Sequence, residues 1–196
     1  MKTISDFASI TVGQIMTRVS AGNDDASTEI KVLIPKAISN GRILREELGT
    51  ADIKGEMPKD KLTCEGDIVI KLSTPYDAAY ISEEDAGYAI PSFCAAIRFK
   101  DKSYGKAEKN YLSAVLNSDY IRNQLSSKVA GTVRPMIRPR DIMNLEMPDI
   151  PKEDMKRIGE AYVLSAKKRA MLLEMERIEK EIMDNIVINS IVGDQS

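Results

Sequence analysis

Histidine and tryptophan are both missing from this chain of 196 residues. Histidine is the side chain that acts most often as a general base and as a metal ligand. The two cysteines, Cys64 and Cys94, stand singly in apolar or strand-like surroundings, without the paired spacing of a zinc site or a disulfide framework. We therefore expect reduced, structural thiols, and hydrolase and metalloenzyme functions are disfavoured.

A long hydrophobic run is also lacking. No apolar stretch approaches the ~18 to 20 residues that a membrane span needs, and the start, MKTISDFASI, does not have the pattern of a signal peptide. The expected compartment is therefore the cytoplasm. With 43% apolar and 30% charged residues, the composition is typical of a globular protein with one core and an appendage.

Catalytic motifs are equally scarce. The sequence contains no Walker-type loop, no Ser/His or Cys/His arrangement, and no methyltransferase or nuclease signature. The carboxylate cluster Glu83, Glu84 and Asp85 lies in an acidic loop and is predicted to be solvated rather than metal-binding. We expect no catalytic residue, no metal and no cofactor.

The charge is unevenly distributed. The net charge is −2 and the pI is about 5.4, yet the segment from Arg98 to Arg140 holds ten basic residues against three acidic ones. A local basic excess is typical of nucleic-acid binding even in an acidic protein. A solvated face with loop lysines is the alternative interpretation.

The N-terminal half predicts a small, twisted β-domain. Ile30–Pro35 is a β-rich apolar run, and Ile38–Ile43 has an Asn-Gly pair between apolar residues, the strongest short hairpin signal. A buried strand is predicted at Ile68–Leu72. One or two more strands are predicted within Gly87–Lys100, where Pro91 requires an edge or a bulge.

Helical periodicity begins at Glu108 and continues to Val129. Asn117–Asp119 either breaks this segment into two helices or recaps it. In Ala130–Pro151, turns, prolines and short apolar runs favour loop and strand over helix. The predicted fold class is α+β, with a β-rich domain at residues 1–150, a long helix at 151–190 and a disordered tail at 191–196.

A long helix is predicted from Lys152 to about Ile188, because this segment has no proline and only Gly159 as a breaker. About 36 residues span roughly 54 Å, which is too long for burial against one small domain. Apolar residues recur at the core spacing of a coiled coil, with Lys168 and Asn185 interrupting the seam. The predicted seam is Ala161, Leu164, Lys168, Met171, Met175, Ile178, Ile182 and Asn185. We expect dimerisation or docking through it; an amphipathic arm folded back on its own domain is the alternative.

Four segments in this order resemble the target-recognition domain and conserved helix of Type I restriction-modification specificity subunits, over nearly the whole chain. They are VLIPKAISNGRI (Val32–Ile43), EGDIVIKLS (Glu65–Ser73), NYLSAVLNSDYIRNQL (Asn110–Leu125) and AGTVRPMIRPRDIMNLEMPDIPKEDMKRI (Ala130–Ile158). Each segment alone is weak, and their order and spacing carry the resemblance. The family pattern often has glutamine where this chain has Lys152–Asp154.

Members of this family usually carry two recognition domains and two such helices, packed antiparallel as a spacer between DNA half-sites. One of each is present here, so the resemblance implies a half-sized, non-catalytic subunit that forms a homodimer through its helix. Such a dimer would read a bipartite site in double-stranded DNA, across a gap of about one and a half turns. The implied partners are DNA methyltransferase subunits, with or without a restriction and translocase subunit.

Candidate DNA contacts lie on basic and polar loops, because lysine and arginine neutralise phosphates while exposed polar side chains read bases. The predicted contacts are Lys36, Ser39, Asn40, Arg42, Lys71, Ser73, Thr74, Lys128, Thr132, Arg134 and Arg138. The alternatives are that Asn40 only forms a turn, that Arg138 only solvates a loop between prolines, and that Ser73 and Thr74 only end a strand.

Two other functions stay open. A coiled-coil adaptor, whose β-domain binds protein rather than DNA, is consistent with the acidic net charge. An enzyme acting on a small molecule is the weakest of the three, because no site emerges from the sequence. Salt-sensitive DNA binding would favour the specificity subunit over the adaptor.

Overall fold

The computed structural model describes residues 2–16, 27–129, 131 and 136–192. The chain divides into two compact units, Met1–Tyr162 and Val163–Ser196. The predicted fold class is confirmed: a small β-rich α+β domain is followed in the chain by a long C-terminal helix.

The secondary structure of the described residues follows in chain order. The elements are β1 (Lys2–Thr3), α1 (Ile4–Phe7), β2 (Ala8–Val12), β3 (Thr28–Val32), β4 (Ile38–Ser39), β5 (Arg42–Ile43), β6 (Gly49–Ile53), β7 (Ile68–Lys71), β8 (Ala78–Tyr80), β9 (Cys94–Phe99), α2 (Lys106–Leu116), α3 (Asp119–Val129), α4 (Pro139–Met143), β10 (Glu146–Met147) and α5 (Lys152–Val192).

An antiparallel sheet with strand order β2-β9-β7-β8 forms the centre of the first unit. Ile68 and Ile70 of β7 join a buried cluster with Leu112 of α2. Val69, on the opposite face, joins a second cluster with Ile90. Because both faces are covered, β7 is a continuous apolar run rather than an alternating one.

The predicted hairpin at Asn40-Gly41 is confirmed as the pair β4 and β5. Asn40 and Gly41 have φ angles of 41° and 86°, and a two-residue hairpin turn of this kind requires positive φ at both positions. The backbone amide of Gly41 donates to the carbonyl of Ala78 at 3.0 Å, which attaches the hairpin to β8. A separate antiparallel pair joins β3 to β6, with the β4–β5 hairpin between them in the chain.

The helical segment breaks at Asn117 and Ser118 into α2 and α3, one of the two predicted outcomes. The preference for loop and strand over helix in Ala130–Pro151 missed α4. Pro139 occupies the first turn of α4, and the Asp141 carboxylate accepts a hydrogen bond from the backbone amide of Arg138 at 3.3 Å. Proline with a nearby acidic residue is a recognised helix-start signal.

The acidic cluster is not fully solvated, contrary to the prediction. Asp85 is buried and accepts a hydrogen bond from Arg45 Nε at 2.7 Å, whereas Glu84 is exposed and forms an ion pair with Arg45. Within the described ranges, no group of three or more His, Cys, Asp or Glu residues could hold a metal. No helix in that part of the chain is long and apolar enough to cross a membrane.

The long helix is present as α5, with 41 residues and a length of about 62 Å. It continues through Val192, so Ile191 and Val192 are helical although they fall in the predicted tail. Residues 193–196 of that tail lie outside the described residues. Cys94 is buried, as expected for a structural thiol, but Cys64 is exposed.

Candidate nucleic-acid interface

Three chain segments that carry predicted DNA contacts meet at one end of the central sheet. The tip of the β4–β5 hairpin is hydrogen-bonded to Ala78, the first residue of β8. The backbone amide of Ile137 donates to the carbonyl of Leu72 at 2.8 Å, and Ser73 forms a bridge with Met136. The hairpin, the loop between β7 and β8, and the segment before α4 therefore lie side by side, although they are far apart in sequence.

The predicted contacts on these segments differ in exposure. Arg42 in the hairpin, Thr74 in the β7–β8 loop and Arg138 before α4 are exposed, whereas Ser39 and Ser73 are half-buried. Arginine can both neutralise phosphate and bind guanine through two hydrogen bonds. This edge of the sheet therefore presents exposed side chains suited to a nucleic acid.

Arg138 lies against Asp141, one turn into α4. Its Nε donates to Asp141 Oδ2 at 2.9 Å, and 59% of the Arg138 side chain is exposed. The hydrogen bond from Arg138 holds the pKa of Asp141 below its usual range, and the charge of Lys128 at the end of α3 lowers it further. Lys128 is itself exposed, so two cations lie near one carboxylate, and Arg138 is held in place while its side chain stays accessible.

Lys71 points into the molecule rather than toward solvent. Its Nζ donates to Asp77 Oδ2 at 2.8 Å, and the two side chains are 12% and 6% exposed. This internal ion pair argues against the predicted DNA contact of Lys71, because the largely buried ammonium would have to give up its bond to Asp77 and leave the interior to reach a phosphate.

The other predicted contacts are Lys36, Thr132 and Arg134. Lys36 is exposed in a short turn before β4 and forms an ion pair with Glu47 at 2.6 Å. Thr132 and Arg134 lie outside the described residues.

The basic segment from Arg98 to Arg140 is less basic at the surface than its residue count implies. Arg98 Nε donates to Asp67 Oδ1 at 3.1 Å, and that carboxylate is 5% exposed. Arg122 forms an ion pair with Asp77, which is 6% exposed. Both arginines offset internal carboxylates, so neither can be counted as surface charge for DNA.

Three residues that contact the hairpin or its neighbours were missed by sequence reasoning. Arg122 Nη2 donates to the side-chain oxygens of Asn40 at 3.0 Å and of Asn117 at 2.9 Å. Asn117 Nδ2 donates to the hydroxyl of Tyr162 at 2.8 Å and to the carbonyl of Ala78 at 2.7 Å. The asparagine after the helical run is a visible signal, but on its own it indicates only a helix break or a recapped helix.

The second unit exposes apolar side chains along α5, both on the stripe of predicted seam residues and, at Leu172 and Leu173, off it. The predicted seam residues Leu164, Met171, Met175, Ile178 and Ile182 are 43% to 68% exposed. Ala161 and Lys168 are exposed as well. Also on α5, Arg177 pairs with Glu174 and Glu181 at 2.8 and 3.0 Å. Such a stripe on an exposed helix is typical of a surface that another chain covers.

Comparison of the sequence with protein families and with curated proteins gives no match. Solved structures do match. The HsdS subunit from Thermoanaerobacter tengcongensis aligns over 98% of this chain with a TM-score of 0.60 and 20% identity. A chain from a structure on complex assembly and conformational transition of the type I R-M system aligns over 98% of this chain with a TM-score of 0.63 and 21% identity.

The fold is that of HsdS. This confirms the resemblance expected from the sequence, as a likeness of fold. The chain spans about half of the solved structures that it matches, covering 48% of each. In this HsdS fold, the edge formed by the hairpin, the β7–β8 loop and the segment before α4 belongs to the first unit, and the exposed stripe belongs to the second.

Proposed function

We propose that this chain is a non-catalytic specificity subunit of a Type I restriction-modification system and that it reads DNA through the edge of its first unit. The observation that carries the proposal is the meeting of the hairpin, the β7–β8 loop and the Met136–Arg138 segment in a domain with the HsdS fold. Loops on a rigid scaffold are where binding residues usually lie.

The chemistry of this edge fits a DNA duplex. Arg42, Lys128 and Arg138 are exposed cations that can neutralise phosphates, and Thr74 can donate to a phosphate or a base edge. Arg134 and Thr132 complete the proposed contact set from the sequence. Lys36 is a peripheral contact in this proposal, because Glu47 already pairs with it.

Two copies of the chain pair through α5 in this proposal. The exposed seam would be covered by the same seam of a second copy, which gives a closed twofold dimer. The seam positions are symmetric about residue 173, so an antiparallel pair sets Leu164 against Ile182 and Met171 against Met175. A homodimer therefore brings two recognition domains to one DNA molecule.

This register fixes the spacing of the two half-sites. The Tyr162 residues of the two copies would be 22 positions apart along the paired helices, or about 33 Å at 1.5 Å per residue. One turn of B-DNA is about 34 to 36 Å. Helix length alone gives a gap of about one and a half turns between the half-sites, whereas this register gives about one turn. The dimer would therefore read an inverted, bipartite site on one face of the duplex.

Methylation and any cleavage would come from partners. The proposed partners are DNA methyltransferase subunits, with or without a restriction and translocase subunit, and the proposed compartment is the cytoplasm. The expected reaction is transfer of a methyl group by the partner at the site that this chain selects.

The test is selection of sites from a random duplex library by the purified chain, alone and together with a Type I DNA methyltransferase subunit. We expect enrichment of one bipartite sequence and weakening of binding as salt rises. Stable association with the methyltransferase is the second expected result. Absence of enrichment under both conditions, with a protein partner bound instead, would favour the coiled-coil adaptor.

A further inference from the structure

One arginine inside the first unit links the tip of the hairpin to the helices behind it. Arg122 Nη2 lies within hydrogen-bond distance of three oxygens, on Asn40 at 3.0 Å, Asp77 at 2.5 Å and Asn117 at 2.9 Å. Its side chain is 21% exposed, and that of Asp77 is 6% exposed. Hydrogen bonds to charged groups that are shielded from water are among the stronger ones in proteins, so this arginine holds Asn40 in a defined position.

The other side of the hairpin tip is held by Tyr162. A Cβ placed on Gly41 would lie 2.4 Å from the Tyr162 hydroxyl oxygen and 2.8 Å from two of its ring carbons. The tyrosine therefore packs directly against the Gly41 backbone. Since the Tyr162 hydroxyl accepts from Asn117, which also accepts from Arg122, the two supports belong to one hydrogen-bonded group.

We infer that Arg122 is a positioning residue for sequence recognition: it fixes the hairpin tip through Asn40 and does not itself contact DNA. The inference rests on the proposed function, because it assigns the hairpin a role in reading bases. A base-reading side chain discriminates only if its donor and acceptor atoms are held in a fixed geometry. The sequence counts Arg122 as part of the basic segment, whereas its contacts direct it inward.

Three substitutions separate positioning from folding. Arg122→Met removes the donors but leaves Asp77 paired with Lys71 at 2.8 Å, so the carboxylate keeps one partner. Arg122→Lys keeps the charge and supplies an ammonium with three donors. The loss of the arginine Nε removes no hydrogen bond, because Arg122 Nε has no hydrogen-bond partner among the described residues. Asn40→Gly removes the side chain that Arg122 holds at the tip, and glycine accepts the φ of 41° at that position.

The measurement is the affinity ratio between the duplex that the wild-type chain enriches and a scrambled duplex, as a function of salt. Arg122→Met should lower the ratio about tenfold, which is about 1.4 kcal/mol, with affinity for the scrambled duplex and the salt dependence unchanged. Arg122→Lys should recover part of the ratio. In the double variant with Asn40→Gly, the two losses should not add, because both remove the same link.

Each contrary outcome has a defined meaning. A wild-type chain that enriches no sequence would overturn the proposed function. If the wild-type chain enriches a site and Arg122→Met keeps the full ratio, only the positioning role is overturned. A weaker salt dependence in Arg122→Met would identify a phosphate contact instead, and additive losses in the double variant would show that Arg122 does not act through Asn40. The thermal unfolding midpoint of each variant shows whether a lower affinity ratio results from unfolding of the protein.

Discussion

Gly159 of α5 lies directly against the backbone of Ala107 in α2. A Cβ placed on Gly159 would be 1.9 Å from the Ala107 carbonyl oxygen and 2.9 Å from the Tyr111 amide nitrogen. The glycine is therefore not a defect in the long helix. It permits the first turns of α5 to pack backbone to backbone against α2.

Gly159→Ala should consequently destabilise the first unit. Alanine favours a helix over glycine by about 1 kcal/mol, but the added methyl group meets a backbone atom that cannot rotate away. We expect a net loss of about 1 to 3 kcal/mol in the free energy of unfolding, measured by chemical denaturation. Ser165→Ala, at an exposed position of the same helix, is the control and should change stability by less than about 0.5 kcal/mol. An equally stable or more stable Gly159→Ala variant would contradict the close packing.

The double variant Met175→Glu/Ile178→Glu should be monomeric. Both side chains are exposed in the single chain, at 65% and 43%, so the substitutions cost the monomer little but place unpaired charges in the proposed seam. Molar mass from light scattering checks the result. Leu173→Glu/Ile191→Glu introduces the same two charges on the opposite face of α5, and it should keep the dimer mass. An identical mass for both double variants would show that this seam is not the interface.

Removal of one heptad from α5, residues 170–176, should shorten the spacing between half-sites. The deletion keeps the seam in register but brings the two Tyr162 positions 7 residues closer along the pair, which is about 10 Å. At about 3.4 Å per base pair, the gap in the enriched bipartite site should shrink by about three base pairs while both half-sites keep their sequences. An unchanged gap would exclude α5 as the spacer.

Arg138→Ala should weaken DNA binding and reduce its salt dependence by about one counterion, if Arg138 meets a phosphate. Arg157→Ala is a matched control, because Arg157 is also an exposed arginine paired with an aspartate three residues away, but on α5 rather than at the proposed interface. Equal effects of Arg138→Ala and Arg157→Ala would remove Arg138 from the interface.

Arg134→Ala should weaken binding by about 1 to 3 kcal/mol if that residue reads a base.

The two thiols should differ in reactivity. Burial raises the pKa of Cys94 to about 12, and the thiolate is the reactive form, so at pH 8 Cys94 stays protonated and enclosed. Cys64 is exposed. A chromogenic thiol reagent should therefore count one thiol in the native protein and two in denaturant. The Cys64→Ser variant should give none in the native state, and rapid reaction of this variant would contradict the buried position of Cys94.

The predictable parts of the fold depend on local patterns. The hairpin at Asn40-Gly41 and the break at Asn117 follow from the backbone preferences of a few adjacent residues. The strand at Ile68 follows from its apolar run, and α5 from the absence of breakers over some forty positions. The short helix α4 could have been predicted too, because Pro139 and Asp141 are start signals.

The parts that could not be predicted depend on contacts between distant segments. Nothing local in the sequence indicates that Lys71 and Arg122 share the carboxylate of Asp77, so both look like surface cations until the fold is known. The same holds for Asp85, which Arg45 reaches from forty positions away. Sequence patterns therefore located the segments of the candidate interface but could not separate the cations that face solvent from those that offset internal charge.

The central sheet is covered on both of its faces, and its core contacts involve none of the exposed side chains at its edge. Replacement of Arg42 or Thr74 leaves those core contacts in place. In the proposed DNA-reading role, the binding preference can therefore change by point substitution at this edge while the scaffold stays the same.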